Sequence, residues 1–168
     1  YTGRTPVPPA FQPQLGDLGI GIAKVKCKDV WACFHDLRKR GVNMLTNPTP
    51  RPSGEEHFFV KDPWGNPFEI VEAGDWFTKN TRSLTGGMYG AFIGVSDMDL
   101  SIKFYGEVLG YDEVVYDKWG DFADLHGVDG GFSNYRRVLL RHSAKRKGPF
   151  SRLLGDSEIE LVQSIDRP

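Results

Sequence analysis

Cysteine is scarce in this chain: Cys27 and Cys33 are the two in 168 residues. Two cysteines make no disulfide framework, and their spacing fits no zinc motif. No apolar run approaches the ~18 residues that span a bilayer, and "YTGRTPVPPAFQPQ" has no apolar centre of the kind a secretory leader needs. Charge of one sign is lacking too. A net charge of −1 gives no reason to expect nucleic acid or a membrane as partner. "GVDGG" and "TGG" lack the G-x-x-x-x-G-K pattern of a phosphate loop. There is no G-x-S-x-G elbow, and neither cysteine is placed as a nucleophile. A cytoplasmic protein without a phosphate-loop, serine-elbow or cysteine-nucleophile signature is the simplest reading.

What is present is enough for a core. Hydrophobic residues make up 39% and aromatics 12% of the chain, which argues against global disorder. The length suits one ordinary domain or two small modules sharing a core.

The pattern along the chain repeats. Residues 1–17 are rich in Pro, Gly and Gln and read as an arm. Then "IAKVKCK" alternates, with Ala23, Val25 and Cys27 on one face and Ile22, Lys24 and Lys26 on the other, the pattern of a half-buried strand. Asp29 caps a helix over "VWACFHDLRKR", whose stripe is Val30, Phe34 and Leu37. Strands are expected near 43–45, 57–61 and 67–72, completing a βαβββ module over 18–77. A linker, 78–87, leads to a second module over 88–168. Its first strand is "GAFIGVS", and Asp97 or Asp99 caps a helix with Ile102, Tyr105 and Leu109 as its stripe. "YDEVVYD", "YRRVLLRH" and "EIELVQS" supply the remaining strands. The ends of the two modules align, "FEIVEA" with "IELVQS", so Glu69 corresponds to Glu160. A repeat of this kind is an architectural signal.

"FFVKDPWGNPFEIVE" and "GVSDMDLSIKFYGEVLGYDEV" resemble the closing hairpin and the opening strand and helix of the vicinal oxygen chelate superfamily, which includes glyoxalases, bleomycin-resistance proteins and extradiol dioxygenases. The resemblance covers most of 18–75 and 88–164. It implies an α+β fold in which paired βαβββ modules form a curled mixed β-sheet cup with flanking helices. In metal-dependent members a His on each first strand and a Glu on each last strand face into the cup. The resemblance therefore puts Glu69 and Glu160 at metal-ligand positions and Ile22 and Gly90 at the histidine positions. Neither of the latter can ligate through a side chain, and two carboxylates alone make a weak site.

Two functions follow from the resemblance. One is a binding protein of the glyoxalase/bleomycin-resistance type that holds a small molecule in the cup without a complete metal site. The other is a lyase, isomerase or dioxygenase using Mn, Fe, Ni or Zn on a substrate with vicinal oxygens. In either case the cup-facing residues expected to touch a ligand are His57, Phe59, Lys61 and Phe92. His57 is the catalytic candidate, since a His–Glu pair with Glu69 could move a proton. An unpaired module would expose its sheet face, so a homodimer is expected. The module order is the reverse of the usual single-domain order, which fits either the middle of a longer protein or a permuted cup.

The remaining features have plainer readings. His35 lies on the polar side of its helix, and His126 sits in a Gly- and Asp-rich turn. Arg136, Arg137, Arg141, Lys145, Arg146, Lys147 and Arg152 form a basic stretch that reads as a solvated loop, with an anion site as the alternative. Trp31 opens the first helix and is expected to pack, and Trp64, in the hairpin turn, is expected at the rim of the cup.

Overall fold

Two aspartates start the two long helices. Asp29 Oδ1 accepts the Ala32 N–H at 2.7 Å, and Asp97 Oδ1 accepts the Leu100 N–H at 3.0 Å. Each satisfies a backbone donor that the first helical turn leaves orphaned. Helix α1 runs Val30–Lys39 and α2 runs Met98–Leu109. Gly110, at φ 75°, closes α2 in the left-handed conformation that glycine adopts without strain.

The computed structural model describes residues 3, 10–78 and 81–166. The rest of the expected arm and two positions of the expected linker lie outside the described residues. The strands are β1 Gly19–Cys27, β2 Asn43–Met44, β3 Thr49–Pro50, β4 Glu56–Lys61, β5 Pro67–Glu72, β6 Thr85–Gly94, β7 Glu113–Gly120, β8 Tyr135–Arg141 and β9 Glu158–Ser164. A 3₁₀ turn, Ala123–Leu125, and a short helix α3, Ser151–Leu154, add elements that the sequence pattern does not announce.

The sheet order is β2-β4-β5-β1-β6-β9-β8-β7, with β3 on the side of β4. Each half pairs its first and last strands in parallel, β1 with β5 and β6 with β9. The halves join where β1 meets β6 antiparallel. The result is a large curled, unclosed mixed sheet. Strand twist supplies part of the curl. Register shifts on both sides of Val25 in the β1–β6 pairing add to it, because an extra residue bends a strand.

Three apolar clusters hold this shape. Val30, Cys33 and Phe34 of α1 pack on Phe58 and Ile70, on the convex side of the first half. Met98 of α2 packs on Val138, Leu140, Ile159 and Leu161, on the convex side of the second. The third cluster lies inside the cup and includes Ile22, Phe59, Phe92, Leu125 and Tyr135.

Three expectations need correction. β1 is not half-buried. Lys24 and Lys26 are buried along with Ile22, because the face that reads as polar lines the cup. Leu109 is exposed, and Met98, one residue past the cap, is the buried anchor of α2. The end of the arm is docked: Leu15 is buried in the inner cluster, and its amide donates to the Asp129 carbonyl at 2.8 Å. No helix among the described residues is long and apolar enough to cross a membrane.

Candidate functional site

Alternation along the strands decides what enters the cup. On β5 the inward positions include Glu69, and its partner across the β4–β5 ladder is Phe59, flanked by His57 and Lys61. On β9 the inward positions are Glu158, Glu160 and Val162. On β8 the facing set is Tyr135, Arg137, Leu139 and Arg141. On β1 the set is Ile22, Lys24 and Lys26. These faces close on one another, and a charged cluster forms in the middle.

Lys24 is its hub. The ammonium lies 2.7 Å from Glu160 Oε2, 2.8 Å from Glu158 Oε1 and 2.9 Å from Glu69 Oε2, and all four side chains are fully buried. Its Nζ also sits 4.6 Å from the centre of the Phe92 ring, whose face favours a cation. Burial alone would lower the Lys24 pKa. Glu158, Glu160 and Glu69 outweigh that, and the net shift is upward.

Each carboxylate has a second cation. Arg51, from the turn after β3, reaches Glu158 Oε1 at 2.5 Å. Arg137 donates from Nε to Glu160 Oε1 at 2.8 Å and from Nη1 to both Asp124 oxygens. The Tyr116 hydroxyl donates to Glu160 Oε1 at 2.5 Å. Burial would raise the Glu158 pKa, but Lys24 and Arg51 hold it down at about 2. The same competition, with Arg137 and Lys24 as the winning charges, pushes Glu160 well below the usual carboxylate range.

His57 is enclosed between two acids. Its Nδ1 lies 2.5 Å from Glu69 Oε1 and its Nε2 lies 3.1 Å from Asp124 Oδ2. Desolvation works against its charged form, but Asp124 and Glu69 outweigh it and the pKa is raised. With His57 protonated, the contact network around Lys24 joins four buried carboxylates (Glu69, Asp124, Glu158 and Glu160) to four buried cations (Lys24, Arg51, His57 and Arg137), with Lys26 buried further along β1.

The sequence-derived site residues thus divide. Glu69, Glu160 and His57 come together in one cup. Phe59 and Phe92 are buried beside them, ring centres 5.8 Å apart. Lys61 is at the rim, 2.7 Å from Asp129. His35 is exposed on α1, and His126 stacks on Phe132 and pairs with Asp121. The basic stretch is not one solvated loop. Arg137 is fully buried, and Arg141 Nη2 lies 2.9 Å from Glu158 Oε2. The side chain of Arg152 lies outside the described residues.

Lys24, Glu158, Arg137, Arg51 and Asp124 were missed as a site. For Lys24 and Glu158 the signal was available, since each lies two positions from a residue, Ile22 or Glu160, already placed facing the cup; no position on β8 had been given a face, so Arg137 carried no such mark. Arg51 and Asp124 sit in turns, where no period applies.

The family resemblance raises the question of a divalent metal at Glu69 and Glu160. The residues present do not fit one. An ion bound by both carboxylates would have to share their centre with the Lys24 ammonium, at a separation where like charges in a buried setting repel strongly. The first-strand positions offer Ile22 and Gly90 in place of donors. Gly90 has no room for a ligand either, since a Cβ there would lie 1.7 Å from the Glu158 carbonyl oxygen.

Space for a ligand opens at one end of the cup. A cavity of about 480 Å³ lies against Lys26, two positions along β1 from Lys24, with Trp76, Phe77, Met88 and Leu153 among its walls. The charged hub itself is filled by side chains.

Comparison with known proteins agrees with this architecture. Residues 4–70 match the family model described as the Glyoxalase/Bleomycin resistance protein/Dioxygenase superfamily. A lactoylglutathione lyase of Arabidopsis thaliana is 26% identical over 123 residues, which make up 73% of this chain and 41% of that protein. Glyoxalase I from Zea mays superposes with a TM-score of 0.52 at 21% identity, over 90% of this chain and 44% of that one. A dioxygenase candidate from Bacillus subtilis superposes with a TM-score of 0.53 at 19% identity, over 92% of this chain and 44% of that one. At such identities the two structures speak for the fold alone. The chain spans less than half the length of each of these relatives.

Proposed function

We propose that this chain, which belongs to the glyoxalase/bleomycin resistance/dioxygenase superfamily, is a small-molecule-binding cup that works without a resident metal ion. One observation carries the reading: the Lys24 ammonium contacts Glu69 and Glu160 together. The two carboxylates that metal-dependent relatives would use as ligands here neutralise a lysine. The cup keeps its charge pattern, a central cation ringed by acids, but the cation is covalently part of the protein and offers no open coordination position to a substrate. That removes Lewis-acid chemistry from the hub and leaves binding as the activity the geometry supports. The cavity beside Lys26 is where a ligand has access.

The test is metal content by elemental mass spectrometry, on protein purified without chelator and again after incubation with Mn, Fe, Ni or Zn, paired with a small-molecule binding screen. Well under one ion per chain, unchanged in Glu69→Ala and Glu160→Ala, together with saturable binding of at least one compound class, is the expected result. Near-stoichiometric metal that is lost in either variant would overturn the reading in favour of a metal-dependent enzyme.

A further inference from the structure

We propose that the outer face of α2 is where a second copy of this chain docks, the two helices pairing antiparallel about a dyad at Phe104. The inference concerns assembly and holds whatever the cup binds.

The repeat supplies an internal comparison. The two long helices begin alike, with caps at Asp29 and Asp97. Counted from those caps, Ala32, Asp36 and Arg40 of the first half correspond to Leu100, Phe104 and Val108 of the second. Residues at i, i+4 and i+8 share one helix face. In the first half that face is solvated in the ordinary way: Arg40 Nε lies 2.9 Å from Asp36 Oδ2, and the Arg40 side chain is 70% exposed. In the second half the same face is apolar and still open, with Leu100 66%, Phe104 52% and Val108 64% exposed. The core-facing side of α2 is a different one, where Met98 and Ile102 pack on the convex side of the sheet.

The apolar surface continues onto the sheet. Leu100, Phe104 and Tyr105 border a groove whose other wall includes Ile93 and Val95. Ile93 pairs with Ile20 of β1, which is 74% exposed. Apolar residues scattered singly over a surface are ordinary, whereas a contiguous patch marks a contact site.

Charge beside the stripe selects the occupant. Lys103 and Glu107 are both exposed. They stand four apart, one position before Phe104 and Val108, and so run along one side of the stripe. In an antiparallel pair with Phe104 facing the partner's Phe104, Leu100 meets the partner's Val108. Lys103 then falls two positions, about 3 Å along the axis, from the partner's Glu107, and the dyad makes the same pair twice. The stripe is thus self-complementary in apolar pattern and in charge, which an isologous contact requires. A parallel pair would turn this flank toward the partner's Ser101 and make no ion pair. A bilayer is the poorer occupant. Asp97, Lys103 and Glu107 around the stripe are acidic on balance, whereas helices that lie on membranes carry lysine and arginine on the polar face.

The experiment is sedimentation equilibrium of the 168-residue chain from about 1 to about 300 µM, a range suited to a small interface. We expect reversible association, with the mass rising from 18.9 kDa toward twice that value. Phe104→Glu, at an exposed position, sets two carboxylates against each other on the dyad and should hold a cooperatively melting chain at the monomer mass throughout. Asp36→Ala, at the equivalent position of α1, should leave association unchanged. Lys103→Glu and Glu107→Lys should each weaken it by about tenfold, since the dyad doubles every change. The two together should restore it. A monomer at every concentration, or a dimer that survives Phe104→Glu, would overturn the proposal. A double variant no tighter than the single ones would overturn the antiparallel pairing. A monomeric chain that floats with phosphatidylcholine vesicles, and no longer does so as Phe104→Glu, would assign the face to a lipid surface instead.

Discussion

Lys24 Nζ lies 2.7 Å from Glu160 Oε2, across the seam where β1 meets β6. Lys24 belongs to the first strand of one half and Glu160 to the last strand of the other. The same ammonium holds Glu69, on the last strand of its own half, at 2.9 Å. One side chain therefore ties together the strands that enclose the cup, and it does so in the place a metal ion would need.

A pair of this kind adds little net stability compared with well-packed apolar residues, but removing one partner strands the other charges in a buried site. Lys24→Met keeps the length of the side chain and deletes its charge. We expect a loss of about 3–5 kcal/mol, measured by equilibrium urea unfolding with the denaturant slope unchanged. A loss below about 1 kcal/mol would mean that the hub is solvated in solution and the cup is not closed as described.

Neighbours on β8 provide an internal control. Arg136 points out, pairing with Asp117 at 2.7 Å and with the exposed Asp99 at 2.8 Å. Arg137 points in. Exposed ion pairs contribute roughly 0–1 kcal/mol each, so Arg136→Ala should be mild. Arg137→Met leaves Glu160 and Asp124 each short of a partner and should destabilise by about 3–5 kcal/mol. Similar effects from the two variants, in parallel thermal melts, would contradict the assigned strand parity.

Gly90 makes a steric prediction. A Cβ at this position would lie 1.7 Å from the Glu158 carbonyl oxygen, so β6 and β9 could not stay paired there. Gly90→Ala should cost at least the 1–3 kcal/mol or so typical of overpacking. Gly90→His, which would restore the family's first-strand donor, should unfold the seam rather than create a metal site. Gly87→Ala, a few residues earlier where a Cβ meets open space, should change the melting temperature little. Equal tolerance at the two glycines would count against the close approach of the strands.

Periodicity made most of this fold legible. The alternation at "IAKVKCK", the caps at Asp29 and Asp97 and the hairpin at "DPWGNP" fix strand, helix and turn locally, and the repeat sets the order of the two halves. The site was less legible because it depends on which face of β1 meets water. Lys24 and Lys26 read as solvent-facing, since lysine seldom lies inside. The parity shared with Ile22 pointed the other way, and the curl of the sheet, which register shifts between β1 and β6 promote, closes that face off from water. Glu158 shares parity with Glu160 and could have been placed, whereas Arg137 lies on a strand for which the sequence offered no inward position. Arg51 and Asp124 arrive from turns, where nothing periodic marks a side chain that bends inward.

The buried charges also set a pH profile. His57 has its pKa raised: burial works the other way, but Asp124 and Glu69 prevail. A group that binds its proton more tightly when folded contributes fully below its unfolded pKa, about 6.5 for histidine, and that contribution is lost as pH rises through the folded value. Glu158 behaves oppositely. Its pKa falls from an ordinary 4.5 to about 2, so its contribution is present above roughly pH 4.5 and fades as pH falls toward 2. Together they place maximal stability between about pH 4.5 and 6.5, at the acid edge of the range where most proteins are most stable. Urea midpoints measured from about pH 3 to 9 should decline on the alkaline side for the native chain. In His57→Gln, which cannot titrate at that position, the alkaline decline should flatten while the acid limb remains. A native profile that is level above pH 6.5 would mean that His57 is neutral between its two carboxylates. The balance of four acids against four bases in the network around Lys24 would then be wrong by one charge.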